Sequence, residues 1–380
     1  MKRIIKIGMD VHSTNYTLCA LECVFGEDDR LLGEVLVSPD YKQIIVFIEN
    51  LKRKYDLKEG DYDIVCGYEA GCLGFSLYDQ LTAANIKCVI LAPSTMLTQQ
   101  GKRIKTDARD AELIARCLAT GTFHAVHIPT KEDEQVKEFV RMRDDQSLHL
   151  KKTKQQILAF CLRHGYRHKG TNWTESHLKF LRSLDLQDTL DRETLDEYLI
   201  TYDYLKDKLE RLDARIAELA STERYQEKVG KLQCFIGIKT HTALTIIVET
   251  GDFHRFAKGN VYAAFLGLTP GEQSSGEHVN RTGITKAGNS HLRRLIIEAA
   301  NGICKGSIGY KSKDLKARQE GNPPEVIAYA DKANERLRRK YYKLSHRDKP
   351  KNVVKTAVAR ELACFIWGMM TDNIGNGAVA

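Results

Sequence analysis

The first ten residues narrow the choice of fold more than any other stretch. Ile4-Ile5-Lys6-Ile7-Gly8-Met9-Asp10 is a β-rich run that stops on a carboxylate. That is the pattern of a buried strand whose end meets solvent. Residues 16–24 and 32–37 read as the next two strands. Residues 41–55 have helical spacing, with Ile44, Ile45, Phe47, Ile48 and Leu51 on one side. Residues 63–68 form a further short strand, a helix falls around 74–84, and the strand 88–91 is stopped by Pro93. Three strands, then helix, strand, helix, strand, helix predicts an α/β domain with a mixed central sheet and helices on its faces.

Within that order the acids have special places. Asp10 sits at the end of the first strand, and Glu69 follows the strand 63–68. Asp107 and Asp110 are three apart at the start of a helix, a spacing that puts both on one helical face. Thr106 is a candidate N-cap, and first-turn acids also suit the helix dipole. Capping therefore accounts for the Asp pair taken alone. The order adds a second reading, since strand ends and one helix face can converge on a point. Four carboxylates so gathered repel one another unless divalent cations fill the gap. Mg2+ or Mn2+ held by oxygens, with two ions about 4 Å apart, is an arrangement used for phosphodiester chemistry. Asp63, Asp79 and Glu112 fit less well, being mid-strand, on an outer face or a turn too late.

The middle of the chain reads differently. Residues 132–163 are helical and polar, broken near Gly165 and Gly170. Leu195, Tyr198, Tyr202, Leu205, Leu209, Leu212, Ile216 and Leu219 then alternate three and four apart. That is a heptad seam, and two long helices joined by a loop suggest an antiparallel coiled-coil arm or an oligomerisation element. His164 and His168 have a ligand-like spacing, but Arg163, Arg167 and Lys169 around them argue against a cation. This division gives a first domain over 1–125, a helical linker over 126–228 and a mainly α-helical C-terminal domain over 229–380.

The C-terminal part holds two informative loops. Residues 235–243 place a Gly-bounded turn before a helix, which reads equally as a plain helical corner or as a helix-hairpin-helix-like element whose N–H groups can face a phosphate; Lys239 and Thr240 lie there. Ser274-Ser275-Gly276 then falls in a Gly/Pro-rich loop that by itself reads as a turn. Arg281, Lys286, Arg293 and Arg294 follow it, a basic group suited to phosphates. Lys102, Arg103 and Lys105 precede the Asp pair in the same sense. The tail carries Arg336, Arg338, Arg339, Lys340 and Lys343 around Tyr341 and Tyr342, a candidate backbone-contact surface weighed against a solvated helix face. Residues 358–370 read as a closing core helix.

Composition fits this picture without deciding it. The 380 residues carry a formal charge of +8, as many soluble enzymes do. Ten cysteines are scattered without a CxxC pair, which predicts buried free thiols rather than disulfides or structural zinc. The basic-apolar start is interrupted by Lys6 and Asp10 too early for a signal segment, and nothing reaches the length of a membrane span. A cytoplasmic, nucleoid-associated protein is the expectation. No P-loop is present.

The runs GMDVHSTNYTLC, YEAGCLGFSLYDQL, VILAPS and KTDARDAELIAR, in that order, resemble the RuvC-like DEDD domain of the IS110-type insertion-sequence transposases. The resemblance implies a ribonuclease-H-like fold with Asp10, Glu69, Asp107 and Asp110 as the metal-binding acids. The segment from Gly267 to Leu295 resembles the C-terminal domain of the same family. There the resemblance implies Ser275 as nucleophile, with Ser274 its adjacent rival. It further implies a DNA transposase acting on target and donor DNA, a structured guide RNA, and a homo-oligomer, dimer or tetramer, in which one subunit's serine completes another's acidic site. Two other readings stand beside it. One is a metal-dependent nuclease or junction resolvase in which water attacks. The other is a nucleic-acid-binding protein without activity.

Overall fold

The computed structural model describes residues 3–23, 29–71, 73–96, 106–272 and 280–375, the side chains of Ser94 and Arg281 apart. The chain divides into two compact units, Met1–Ile128 and Pro129–Ala380. The first contains β1 (Arg3–Val11), β2 (Tyr16–Cys23), β3 (Arg30–Val37), α1 (Tyr41–Lys54), β4 (Tyr62–Glu69), α2 (Ser76–Ala83), β5 (Cys88–Leu91) and α3 (Asp107–Thr120). This is the order expected from the sequence. The sheet runs β3-β2-β1-β4-β5, with β1, β2 and β3 antiparallel in turn and β4 and β5 parallel to β1. Parallel neighbours require crossovers, which α1 and α2 provide. The mixed sheet agrees with the ribonuclease-H-like expectation.

β1 is central, with one face buried and the other covered by α3 at Gly8. Ile5, Ile7 and Met9 point to one side, where they pack with Ile44, Ile48 and Leu51 of α1 and Leu77 and Leu81 of α2. The alternate residues face α3, because successive side chains of a strand point opposite ways. On that side Cys19 and Leu21 of β2 meet Ala111 and Ala115, and Leu91 of β5 meets Ile114, Cys117 and Leu118. Thr106 caps α3 by accepting a hydrogen bond from the Arg109 N–H, and Gly121, at φ 67°, ends it.

The second unit is almost wholly helical: α4 (Lys131–Arg163), α5 (Glu175–Arg182), α6 (Thr189–Ala220), α7 (Gln226–Gln233), α8 (Thr240–Thr250), α9 (Gly259–Phe265), the hairpin β6 (Pro270–Glu272) and β7 (Arg281–Ile284), then α10 (Ser290–Cys304), α11 (Lys313–Gln319), α12 (Pro324–Ser345) and α13 (Lys351–Met370). α4 and α6 run antiparallel. Arg143 pairs with Asp213 near one end, and Ile157 and Phe160 share a cluster with Leu195, Leu199 and Tyr202 near the other. Leu195, Tyr202, Leu205, Leu209 and Ile216 of the expected seam are buried, as is Leu199, one residue beyond the expected Tyr198. The other ends of these helices, through Val136, Val140, Ile216 and Ala220, join the same core as α7, α8, α10, α12 and α13. The polar loop at His164 is also packed: its ring lies against Phe160, and Nδ1 is 3.3 Å from Asp191. The described cysteines are free thiols. No helix among the described residues is long and apolar enough to cross a membrane.

Candidate active site

Two glycines prepare the acidic site. Gly8 of β1 and Gly67 of β4 are register partners, so they lie side by side on the face that receives α3. A Cβ on Gly8 would overlap backbone atoms of Ala111 and Ala115, and one on Gly67 would press on side-chain methyls of Leu118 and Leu91. The helix backbone therefore rests directly on the strand. Two residues further along each strand, on the same face, stand Asp10 and Glu69. The close approach brings the first turn of α3, with Asp107 and Asp110, to the end of β1.

The ligand atoms of Asp10, His12 and Asp107 all lie within 4.8 Å of one another. His12 Nε2 is 3.2 Å from Asp10 Oδ2. Burial raises the Asp10 carboxyl above the usual carboxylate range; His12 pulls it down, while Asp107 and Asp110 add to the rise. A half-buried acid crowded by two more is a group that a cation would relieve. Of the four expected acids, Asp10 and Asp107 thus meet, and Asp110 is near enough to act on Asp10. Glu69 is exposed at the end of the neighbouring strand, outside the tight group. The sequence reading missed His12. Its signal was the Asp-x-His spacing, which puts both side chains on one side of the chain as it leaves β1.

Ser274 and Ser275 lie outside the described residues, as do Lys102, Arg103 and Lys105. What is described is the base of the β6–β7 hairpin, which flanks the two serines in the sequence. The Thr285 and Lys286 N–H groups donate to the Thr269 and Gly267 carbonyls at 2.9 and 3.2 Å. Arg293 Nη1 donates to the Leu266 and Ala287 carbonyls at 3.0 and 3.1 Å, bridging the two arms. Gly267 and Gly288 both have φ near 70°, and a Cβ on either would strike the opposite arm. Arg293 is therefore engaged in the fold. Arg294 pairs with Asp144 at 3.0 Å. Lys239 and Lys286 are exposed, while Thr240 accepts a hydrogen bond from Gln233. Gly237, at φ 84°, closes the turn between α7 and α8 against Ala299 of α10.

The tail corrects the sequence reading at one residue. Arg338 is only 6% exposed, and its guanidinium donates to the Ile303, Ser307 and Tyr310 carbonyls. It caps the end of α10 and is not a surface cation. Arg339 pairs with Glu335, and Arg336 and Lys340 share Glu361. Charge clustering in a sequence does not reveal which member of an amphipathic helix turns inward.

Two buried acids also escaped the sequence reading. Asp144 of α4, 3% exposed, has His241 Nε2 at 3.0 Å and His291 Nε2 at 3.2 Å, besides Arg294. Both rings stand at ion-pair distance without the alignment of a full hydrogen bond. Glu249 of α8 holds Arg141 and also accepts from Asn289, the N-cap of α10, at 2.8 Å. Burial pushes both carboxyls up, but the partners outweigh it and leave both below the usual range. Both acids tie α4 to α8 and to the start of α10.

Comparison with known proteins agrees with this layout. The IS110 DEDD transposase family matches residues 7–165, and the family described as "Transposase IS116/IS110/IS902 family" matches residues 230–315. The transposase for insertion sequence element IS1533 of Leptospira borgpetersenii is 32% identical over 354 residues, covering 92% of this chain and 99% of the relative. The putative transposase y4qE of Sinorhizobium fredii is 32% identical over 96% of this chain and 88% of its own length. The transposase for IS1111A of Coxiella burnetii is 24% identical over 87% of this chain and 88% of its own. With a DEDD domain, a second matching domain and relatives alike over nearly the whole length, this chain belongs to the IS110 family of transposases.

Proposed function

We propose that this transposase cuts and rejoins DNA through a covalent serine–DNA intermediate formed by Ser275. Two observations support the reading: Asp10 and Asp107 converge beside Asp110 in the first unit, and the second family match, over residues 230–315, spans Ser275. Asp10 and Asp107 would hold Mg2+ or Mn2+, with Glu69 and Asp110 as flanking carboxylates. Their oxygen donors and mutual repulsion suit such an ion. When bound, it supplies Lewis acidity at the scissile phosphate. Ser275 Oγ forms a bond to phosphorus as the bond to a deoxyribose oxygen breaks, and that oxygen leaves as a hydroxyl. Attack by a second DNA hydroxyl reverses the step and frees the serine. One ester replaces another, so no ATP is consumed. Exposed Lys239, Lys286 and Arg339 would contact the DNA backbone.

A structured guide RNA and a homo-oligomer, with the serine of one subunit acting at the acids of another, complete the proposal. The antiparallel pair α4 and α6 is the candidate assembly element. One observation favours a second reading, nuclease action by water: the Asp10, His12 and Asp107 group forms within the first unit alone. Substituting Ser275→Ala and, separately, Ser274→Ala decides between them on a denaturing gel with the element's own DNA ends and guide. The protein–DNA adduct should vanish in the first and persist in the second. An adduct or strand exchange surviving Ser275→Ala defeats the serine assignment.

A further inference from the structure

We infer that His12 is a metal ligand of the acidic site and makes it prefer Mn2+ over Mg2+. The inference rests on the proposal that Asp10 and Asp107 hold a divalent ion, and adds a nitrogen donor to that site. Two features of the chain set the imidazole there. Asp10 and His12 are two apart at the end of β1, so their side chains leave on one side. The turn that follows is pinned by a hydrogen bond from the His12 N–H to the Asn15 carbonyl at 2.9 Å, which fixes where the ring departs.

The spacing suits shared coordination. Cis ligands on an octahedral ion at bonds of about 2.1 Å lie roughly 3 Å apart, and His12 Nε2 stands 3.2 Å from Asp10 Oδ2. Asp107 offers its oxygen within the same 4.8 Å group. The ring is half exposed, at 50%, so nothing in the core demands a histidine at this position. An all-oxygen set suits Mg2+, whereas imidazole favours transition ions along the Mn2+ to Cu2+ series. Adding one nitrogen to the oxygen set therefore shifts preference toward Mn2+.

The test uses the full chain, titrated with Mn2+ or Mg2+ alone. Free Mn2+ is read by its electron paramagnetic resonance, and bound Mn2+ by pulsed measurements that detect a coupled 14N nucleus. Wild type should show 14N coupling and hold Mn2+ on the order of tenfold more tightly than His12→Ala does. Mg2+ affinity should change much less. His12→Gln, with an oxygen donor, should retain Mg2+ binding but lose the 14N signal. Asp10→Asn should abolish binding of both ions. If wild type binds Mn2+ through Asp10 without 14N coupling, or if the coupling survives His12→Ala, the inference is overturned while the acidic site stands. If Asp10→Asn leaves Mn2+ binding unchanged, the acidic site itself falls, and the role of His12 with it.

Discussion

Gly8→Ala tests how the fold builds the acidic site. The added Cβ would fall 2.0 Å from the Ala111 carbonyl oxygen and 2.3 Å from the Ala115 nitrogen. Both are backbone atoms of α3, so no rotamer change can clear them. The helix must retreat by roughly 1–1.5 Å along its length to restore ordinary contact. Overpacking of this kind costs about 3 kcal/mol, equal to a fall of roughly 10 °C in the melting of the first unit. Gly67→Ala meets only the methyl tips of Leu118 and Leu91 at 2.9 Å, which can turn aside, and should cost about 1 kcal/mol. Gly33→Ala has nothing nearer than 3.6 Å and should be neutral or slightly stabilising. Urea unfolding of the full chain, followed with and without Mn2+, reads both effects. Gly8→Ala should also weaken the metal-induced stabilisation, because Asp107 rides on the displaced helix. If Gly8→Ala unfolds where wild type does and binds metal as well, the glycine seat is not what sets the site.

Asp10→Asn should raise the stability of the metal-free protein above the ordinary carboxylate range, because burial and the neighbouring acids disfavour the charge that the raised carboxyl must take there; melting with and without metal checks both this and the loss of metal-induced stabilisation. Arg141→Ala should destabilise the second unit by about 3 kcal/mol, since it strips the fully buried Glu249 side chain of its main partner; a denaturant midpoint unchanged from wild type would contradict this. Asp144 and Glu249 both lie below their unfolded values. Their contribution to stability is therefore fully present above about pH 4 and is lost as pH falls through the lowered values, so an acid titration of Glu249→Gln should be flatter than that of wild type. Arg338→Ala should lower stability by about 2 kcal/mol yet leave the salt dependence of DNA binding unchanged; a reduced slope would return Arg338 to the DNA surface.

The sequence by itself determined the order of elements and the places of Asp10, at the end of β1, and of Asp107 and Asp110, at the start of α3. Local rules suffice for both: alternation along β1, helical spacing along α1, and Thr106 ahead of an acidic first turn. Five of the eight seam positions expected on α6 are buried, since periodicity survives without knowledge of the partner, while Leu199 takes the inward place expected for Tyr198. Tertiary structure decided which residues meet. Asp10 and Asp107 are 97 positions apart in the chain, and they converge because Gly8 lets the backbone of α3 touch β1. His12 joined them through a turn hydrogen bond that no periodicity announces. Arg338 and Arg339 are equal in a sequence, but one faces the carbonyls that end α10 and the other faces water. Nothing in the local pattern marks Asp144 and Glu249 as buried; packing encloses them with partners from α4, α8 and α10. Charge and pattern are properties of the chain, whereas proximity and burial arise only when distant segments pack.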